Sequence, residues 1–132
     1  MNDRIRLYKD YLTQEGFPVT EERPGIIGFR YEGGFFALVA EEADEGFFSL
    51  VFPNFWPIES DAERTLAQRA GAAATSRTKV AKVFVRDDGQ NVFATIELFV
   101  GSPEQFKPVF RRCLSAIGTA VNHFRTEMRR AA

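Results

Sequence analysis

The residue types that most often act as nucleophiles or bases are scarce in this chain, which has one cysteine, Cys113, and one histidine, His123. Both fall in one predicted helix, where a rise of 1.5 Å per residue separates them by about 15 Å and turns them to different faces. They cannot form a catalytic dyad within one chain. Cys113 lies in the apolar stripe of that helix and is interpreted as a small buried side chain, because no neighbour would lower its pKa.

Two polar motifs could have a catalytic or metal-binding role. Ser76-Arg77-Thr78-Lys79 matches S-x-x-K, but its companion motifs are missing and it falls in a predicted helix-to-strand connection. The acidic run at residues 41–45 lacks the alternating spacing of a calcium loop. With so few soft ligands, one chain cannot build a zinc or iron site of the usual kind. No catalytic residue, metal or cofactor is predicted, and an enzyme whose site forms across a dimer is kept as an alternative.

The charges are unevenly distributed although the formal net charge is only -1. Residues 1–63 carry 13 acidic and 5 basic side chains, and residues 64–132 carry 5 acidic and 12 basic ones. The last helix holds the arginines Arg111, Arg112, Arg125, Arg129 and Arg130. Guanidinium groups suit phosphate, but cations near a helix C-terminus also interact with the helix dipole. Nucleic-acid binding through these arginines is therefore a second alternative and not the main hypothesis.

Apolar spacing, caps and turn residues predict an α+β fold with the order α-β-β-β-α-β-β-α, an antiparallel sheet flanked by helices. The predicted helices cover residues 2–15, 60–74 and 102–129, and the predicted strands cover residues 26–31, 35–40, 47–55, 80–86 and 92–100. Asn2 or Asp3 can cap the first helix and Gly16 can end it. Pro108, past the first turn of the last helix, predicts a kink or a restart.

Local motifs support the boundaries of these elements. Glu32-Gly33-Gly34 and Asp87-Asp88-Gly89-Gln90 are typical of hairpin turns. Ser60-Asp61-Ala62-Glu63 has the form of a capping box. Ser102-Pro103-Glu104-Gln105 carries the cap, the first-turn proline and the glutamine of a helix start.

The strands carry apolar residues on both faces of the predicted sheet, where one face of an antiparallel sheet usually meets water. Phe47, Val51 and Phe55 point one way, and Phe48, Leu50, Phe52 and Trp56 point the other. An exposed apolar patch of this size marks an interface. We expect an extended protein segment to bind by strand addition or in side-chain pockets on the face that contains Phe36, Leu38, Phe48, Leu50, Phe52 and Trp56. The alternative is that three helices wrap both faces of a curved sheet.

The second predicted helix has a smooth surface of small residues that would let another helix or sheet approach closely. The candidates for a homodimer contact are Ala62, Leu66, Ala70 and Ala73. Gly71 in the same helix costs about 1 kcal/mol relative to alanine.

Length and composition favour one domain over residues 1–132, with 45% hydrophobic residues and 14 phenylalanines that need burial. A single cysteine excludes an internal disulfide, and no cationic start followed by an apolar run indicates a signal peptide. No stretch approaches the ~20 apolar residues of a membrane span. A cytoplasmic protein without a membrane partner is expected.

Several local strings carry a resemblance over nearly the whole chain. They are Gly28-Phe29-Arg30 with Phe35-Phe36-Ala37-Leu38, Phe47-Phe48-Ser49-Leu50 before Pro53, the helix that leads into residues 79–85, and Gly101-Ser102-Pro103-Glu104. With them the chain resembles the YbjN-like family, small bacterial proteins that share the fold of type III secretion chaperones. The resemblance implies that fold, a homodimer and chaperone-like protein binding, and it offers no catalytic residues. The leading hypothesis is a non-enzymatic protein-binding module.

Overall fold

The computed structural model describes residues 3–131, which form three α-helices, one 3-10 helix and one antiparallel sheet of six strands. The helices are α1 (Asp3–Gln14), α2 (Asp61–Arg77) and α3 (Phe110–Ala131), and the 3-10 helix is Pro103–Val109. The strands are β1 (Val19–Arg23), β2 (Ile26–Tyr31), β3 (Gly34–Val39), β4 (Phe47–Pro57), β5 (Ala81–Val85) and β6 (Asn91–Phe99). Their order in the sheet is β1-β2-β3-β4-β6-β5. The predicted α+β class and antiparallel sheet are confirmed.

The first helix ends where its glycine predicts. Gly16 has a φ of +90°, a conformation that costs glycine little, and Phe17 N donates to Leu12 O at 2.9 Å across the turn. Asp3 is the first helical residue, and the alternative cap Asn2 lies outside the described residues.

The strand β1 is absent from the predicted order. Its sequence, Val19-Thr20-Glu21-Glu22-Arg23, holds one apolar residue and therefore no alternation to detect. As the edge of the sheet it pairs with β2 through its main chain, and Val19 packs against the core. The next hairpin is as predicted, since Tyr31 pairs with Gly34 and the two loop residues Glu32 and Gly33 have φ values of 48° and 79°.

A bulge near the end of β4 changes the direction of its last side chains. Phe52 pairs with Ala94 and Trp56 with Val92, so the segment between them is longer on β4 than on β6. Asn54 has a φ of 52° there. As a result the Phe55 ring stacks on the Phe52 ring at 5.3 Å and contacts Phe124 of α3. The prediction that Phe55 shares a face of the sheet with Phe47 is therefore wrong.

The predicted capping box at the start of α2 forms with a shifted partner. Ser60 Oγ accepts from Glu63 N at 3.0 Å, while Glu63 Oε1 accepts from Glu59 N at 2.7 Å and Glu63 Oε2 from Trp56 Nε1 at 3.1 Å. The glutamate therefore ties the end of β4 to the helix. The helix continues to Arg77, three residues beyond its predicted end, so Ser76 is helical and does not lie in a connection.

The predicted disturbance at Pro108 is confirmed, but the α-helix does not begin at the predicted cap. Pro108 has no N–H to donate to the carbonyl four residues earlier, and the chain from Pro103 to Val109 forms a 3-10 helix. Ser102 makes no side-chain cap bond there, and its carbonyl accepts from Gln105 N at 3.0 Å.

All three α-helices and the 3-10 helix pack on one face of the sheet, here called the inner face. Of the six residues predicted to hold a partner, Phe36, Leu38, Phe48 and Leu50 are buried on this face. Phe52 and Trp56 are partly buried, and Trp56 lies 5.4 Å from the Phe124 ring. Helices of the same chain therefore cover most of the predicted partner site, and only Phe52 and Trp56 are left partly accessible.

The small face of α2 also packs within the chain. A Cβ atom on Gly71 would lie 2.8 Å from Val83 O, which shows how closely α2 approaches β5. Of the predicted dimer contacts, Ala70 is buried and so is not free to meet a second copy, whereas Leu66 packs against the core and is partly buried. Ala62 is exposed and Ala73 is half-buried.

Candidate functional site

The side of the sheet away from the helices, here called the open face, is left without a covering element among residues 3–131. Pairing places Ala37, Val51 and Thr95 in one row across it, because residues directly opposite in an antiparallel sheet share a face. Its apolar patch includes Phe35, Val39, Phe47, Val51, Phe84, Phe93 and Phe99. Phe99 is 84% exposed and lies 6.0 Å from the half-buried Phe47 ring. An apolar surface rimmed by charge is typical of an interaction site.

Charged side chains flank the open face at both ends, and the turns at the Arg30 and Arg86 end also carry the exposed Glu32, Asp87 and Asp88. At the end near the β2–β3 turn, the Arg30 guanidinium lies 6.0 Å from the Phe35 ring centroid, and that of Arg86 lies 4.4 Å from that of Phe93. At the opposite end, next to Phe47 and Phe99, lies the exposed acidic loop of residues 41–45. Glu97 belongs to this end and pairs with Lys82 on the neighbouring strand.

Strand addition at the β5 edge of the sheet is disfavoured by a side chain of α2. Thr75 Oγ1 accepts from Val83 N at 2.9 Å and donates to Val83 O at 3.3 Å, so the middle of this edge already has partners. The other edge, β1, carries a register irregularity between Glu21 and Arg23. Both features are ways in which proteins protect edge strands. The open face, and not an edge, is therefore the surface that offers contacts to a partner.

One strand of the sheet carries a partial sequence signal for the open face. In β6 the residues Val92, Ala94, Ile96 and Leu98 are all apolar, whereas Thr95 and Glu97 break the other row. A row that contains Thr and Glu meets water more readily than one that does not. Pairing of Leu50 with Ile96 then assigns the Leu50 row of β4 to the core.

The residues considered for catalysis are not brought together. Cys113 is buried, and burial raises the pKa of its thiol while the nearby Arg112 charge partly opposes this effect. Ser76 Oγ donates to Ala73 O at 2.9 Å within α2, and among residues 3–131 no hydrogen bond joins it to Lys79. The same residues contain no cluster of three or more His, Cys, Asp or Glu that could hold a metal ion.

Hydrogen bonds to main-chain atoms organise the acidic loop. The buried Arg4 of α1 donates to Phe47 O at 3.2 Å and also to Glu41 O. Asp44 Oδ1 accepts from Gly46 N at 3.1 Å, which closes the turn before β4. The carboxylates of residues 41–45 are exposed, as expected for a solvated turn.

The arginines of α3 are spread around the helix and partly neutralised. Arg111 pairs with Glu15 at 3.0 Å and lies over the Phe17 ring. Arg130 lies 3.4 Å from Glu127, whose pKa is lowered chiefly by a hydrogen bond from Arg77. The pair of Arg111 with Glu15 joins the basic second half of the chain to the acidic first half. The pairs that Arg77 and Arg130 form with Glu127 lie within the second half.

The fold is similar to that of two solved structures. E. coli YbjN, described as a candidate transcription regulator, superposes with a TM-score of 0.62 at 16% identity over 89% of this chain and 87% of that protein. An uncharacterized protein from Methanothermobacter thermautotrophicus gives a TM-score of 0.61 at 13% identity over 95% and 99% of the two chains. No protein-family model and no curated protein sequence matches the chain. The chain therefore has a YbjN-like fold, and within residues 3–131 no helix has the length and apolarity needed to cross a membrane.

Proposed function

We propose that the chain is a non-enzymatic protein-binding module whose first partner is a second copy of itself, docked through the open face. The observation that carries the proposal is Phe99, which is 84% exposed beside the half-buried Phe47. Burying a phenylalanine side chain contributes about 1.5 to 3 kcal/mol relative to leaving it in water. In a two-fold dimer both copies use the same surface, so each open-face phenylalanine would be buried once in each copy.

The distribution of charge supports a second copy as the occupant. A two-fold axis in the plane of the interface and across the strands would reverse the strand direction of one copy relative to the other. Arg30 and Arg86 of each copy would then face the exposed acidic loop of its partner, while Glu97 is paired with Lys82 of its own chain. Complementary potentials of this kind align partners and suppress wrong pairings.

The side chains in the middle of the open face would permit close approach of two sheets. The central rows contain Gly28, Ala37, Ser49 and Thr95, which are small and largely buried, together with Val51. The larger aromatic rings lie toward the two ends. Two sheets packed face to face normally lie about 10 Å apart, which requires modest side chains at the centre.

The test is the molar mass of the full chain by light scattering after size exclusion at micromolar concentration. We expect a dimer for the unaltered chain and a monomer for Phe99→Ser, which removes an exposed ring and leaves the core intact. Val80→Ser is the matched control, because Val80 is also exposed but lies outside the open face. It should remain dimeric.

Two results would contradict self-association through this face. One is a monomeric unaltered chain at high micromolar concentration, and the other is a Phe99→Ser variant that remains fully dimeric. Far-UV circular dichroism of each variant establishes that a change in mass does not reflect unfolding.

A regulatory role linked to DNA is a second candidate, favoured by the description of E. coli YbjN and by the exposed Arg129 and Arg130 at the end of α3. Retention on duplex DNA that falls with salt and disappears in Arg129→Gln/Arg130→Gln would support it. Passage through the column unretained at low salt would exclude it.

A further inference from the structure

A cavity of about 530 Å³ lies in the helical layer, on the opposite side of the sheet from the open face. It opens to solvent and is lined by the end of α2 with the connection to β5, by Leu98 of β6, by Val109 of the 3-10 helix and by one side of α3. Its volume lies within the ~300 to 1,000 Å³ typical of small-molecule sites.

The cavity combines an apolar wall with a cationic rim. Leu98, Val109 and Ala116 supply most of the wall, and Arg77, Lys79 and Arg112 supply the charge. Arg77 already pairs with Glu127 at 2.7 Å. Within the described part of the chain Lys79 and Arg112 form no ion pair, so two positive charges on the rim are left without a fixed counter-charge.

The backbone at the mouth of the cavity is held in an unfavourable conformation. Val80 has a φ of 57°, which β-branched residues rarely adopt, and its side chain is 56% exposed beside the cavity. Such strain persists where surrounding structure imposes it and is concentrated at ligand sites. Here it holds an apolar side chain at the entrance, next to Lys79.

We propose that this cavity binds an amphipathic anion, with a carboxylate or phosphate-ester head held by Lys79 and Arg112 and an apolar body against Leu98, Val109 and Ala116. Guanidinium and ammonium groups are suited to oxyanions, and a largely apolar pocket with a few placed charges is the usual design of a small-molecule site. Ser115 and Thr119 also line the cavity and can donate hydroxyl protons to the head. The inference does not depend on self-association, since it concerns another surface.

Binding is tested by calorimetry and by amide chemical shifts of the full chain with decanoate and with decyl phosphate, both below their micelle concentrations. We expect saturable binding of at least one of them, with shifts centred on Val80 and Ala116. Inorganic phosphate, which lacks the tail, and decyltrimethylammonium, which lacks the anion, should each bind about tenfold or more weakly. Comparison of the two decyl anions distinguishes a carboxylate from a phosphate ester.

Variants separate the two halves of the site. Arg112→Gln should weaken binding of the decyl anion about tenfold, whereas Arg129→Gln, on the same helix but outside the cavity, should leave it unchanged. Ala116→Phe should abolish binding by filling the cavity, and Ala72→Phe, on the exposed side of α2, should not. Thermal unfolding of each variant identifies any that fails to fold.

Three outcomes would overturn the proposal. The first is that neither decyl anion binds, and the second is that decyltrimethylammonium binds as tightly as the anions. The third is that the shifts are centred on Phe47 and Phe99, which would place the ligand on the open face.

Discussion

Among residues 3–131, Val80 is the β-branched residue with a left-handed backbone, at a φ of 57°. A left-handed backbone costs a residue other than glycine roughly 1 to 2 kcal/mol, and asparagine tolerates it better than a β-branched residue. The valine side chain recovers little of this by burial, because it is 56% exposed.

We therefore predict that Val80→Asn raises the free energy of unfolding by about 1 kcal/mol, measured by urea denaturation. Val80→Thr is the control, since threonine is polar but keeps the β-branch, and it should not stabilise the chain. Equal stability of the two variants would show that the backbone at this position carries no strain.

At the scale of the element, two helical glycines have opposite surroundings. A Cβ on Gly71 of α2 would meet the backbone oxygen of Val83 at 2.8 Å, whereas one on Gly118 of α3 would have no neighbour within 4 Å. Glycine at position 118 therefore lowers helix stability with no gain in packing. Glycine at position 71 allows α2 to pack closely on β5.

Gly71→Ala should lower the free energy of unfolding by about 1 to 2 kcal/mol, because overpacking against β5 outweighs the gain in helix propensity. Gly118→Ala should raise it by up to about 1 kcal/mol. The two variants are compared by urea denaturation, and stabilisation by both would mean that α2 can move away from β5 at little cost.

The same contrast explains which element boundaries were predictable. Glycine turns, caps and Pro108 act through local backbone chemistry, so the C-terminal end of α1, the β2–β3 hairpin and the break before α3 follow from adjacent residues. The strand β1 and the turned direction of Phe55 do not, because pairing with β2 and the bulge opposite β6 depend on residues distant in the chain.

At the scale of the whole molecule, the proposed placement of Arg30 and Arg86 opposite the acidic loop of the second copy leads to a further prediction. Arg30→Glu/Arg86→Glu should weaken self-association about tenfold, because each altered end would face the carboxylates of the other copy. Adding Glu42→Lys/Glu45→Lys should restore much of it. Sedimentation equilibrium at low and high salt measures the effect, which should shrink as salt rises.

Arg129→Glu is the control for net charge, since Arg129 lies at the end of α3 away from the open face. If it weakens association as much as the pair at Arg30 and Arg86, the complementarity of the two ends is not what holds the dimer. Failure of the second pair of changes to restore association would argue against the proposed orientation.

The sequence by itself determined the fold class, most of the elements and the presence of aromatic residues on both faces of the sheet. Alternation, capping and turn formation act between residues a few positions apart, so one sequence is sufficient to detect them. It also indicated correctly that the chain has a YbjN-like fold.

Only the tertiary structure decided which face of the sheet the helices cover. Strand alternation divides residues such as Phe47 and Phe48 between two faces, but either face satisfies the pattern until long-range packing places Phe106 and Phe110 beneath one of them. The sequence predicted the candidate surface on the face that contains Phe36 and Phe48, whereas the structure leaves the face with Phe47 and Phe99 uncovered. For the same reason the cavity beside Val80, formed by residues from α2, β6 and α3, has no signature in the sequence.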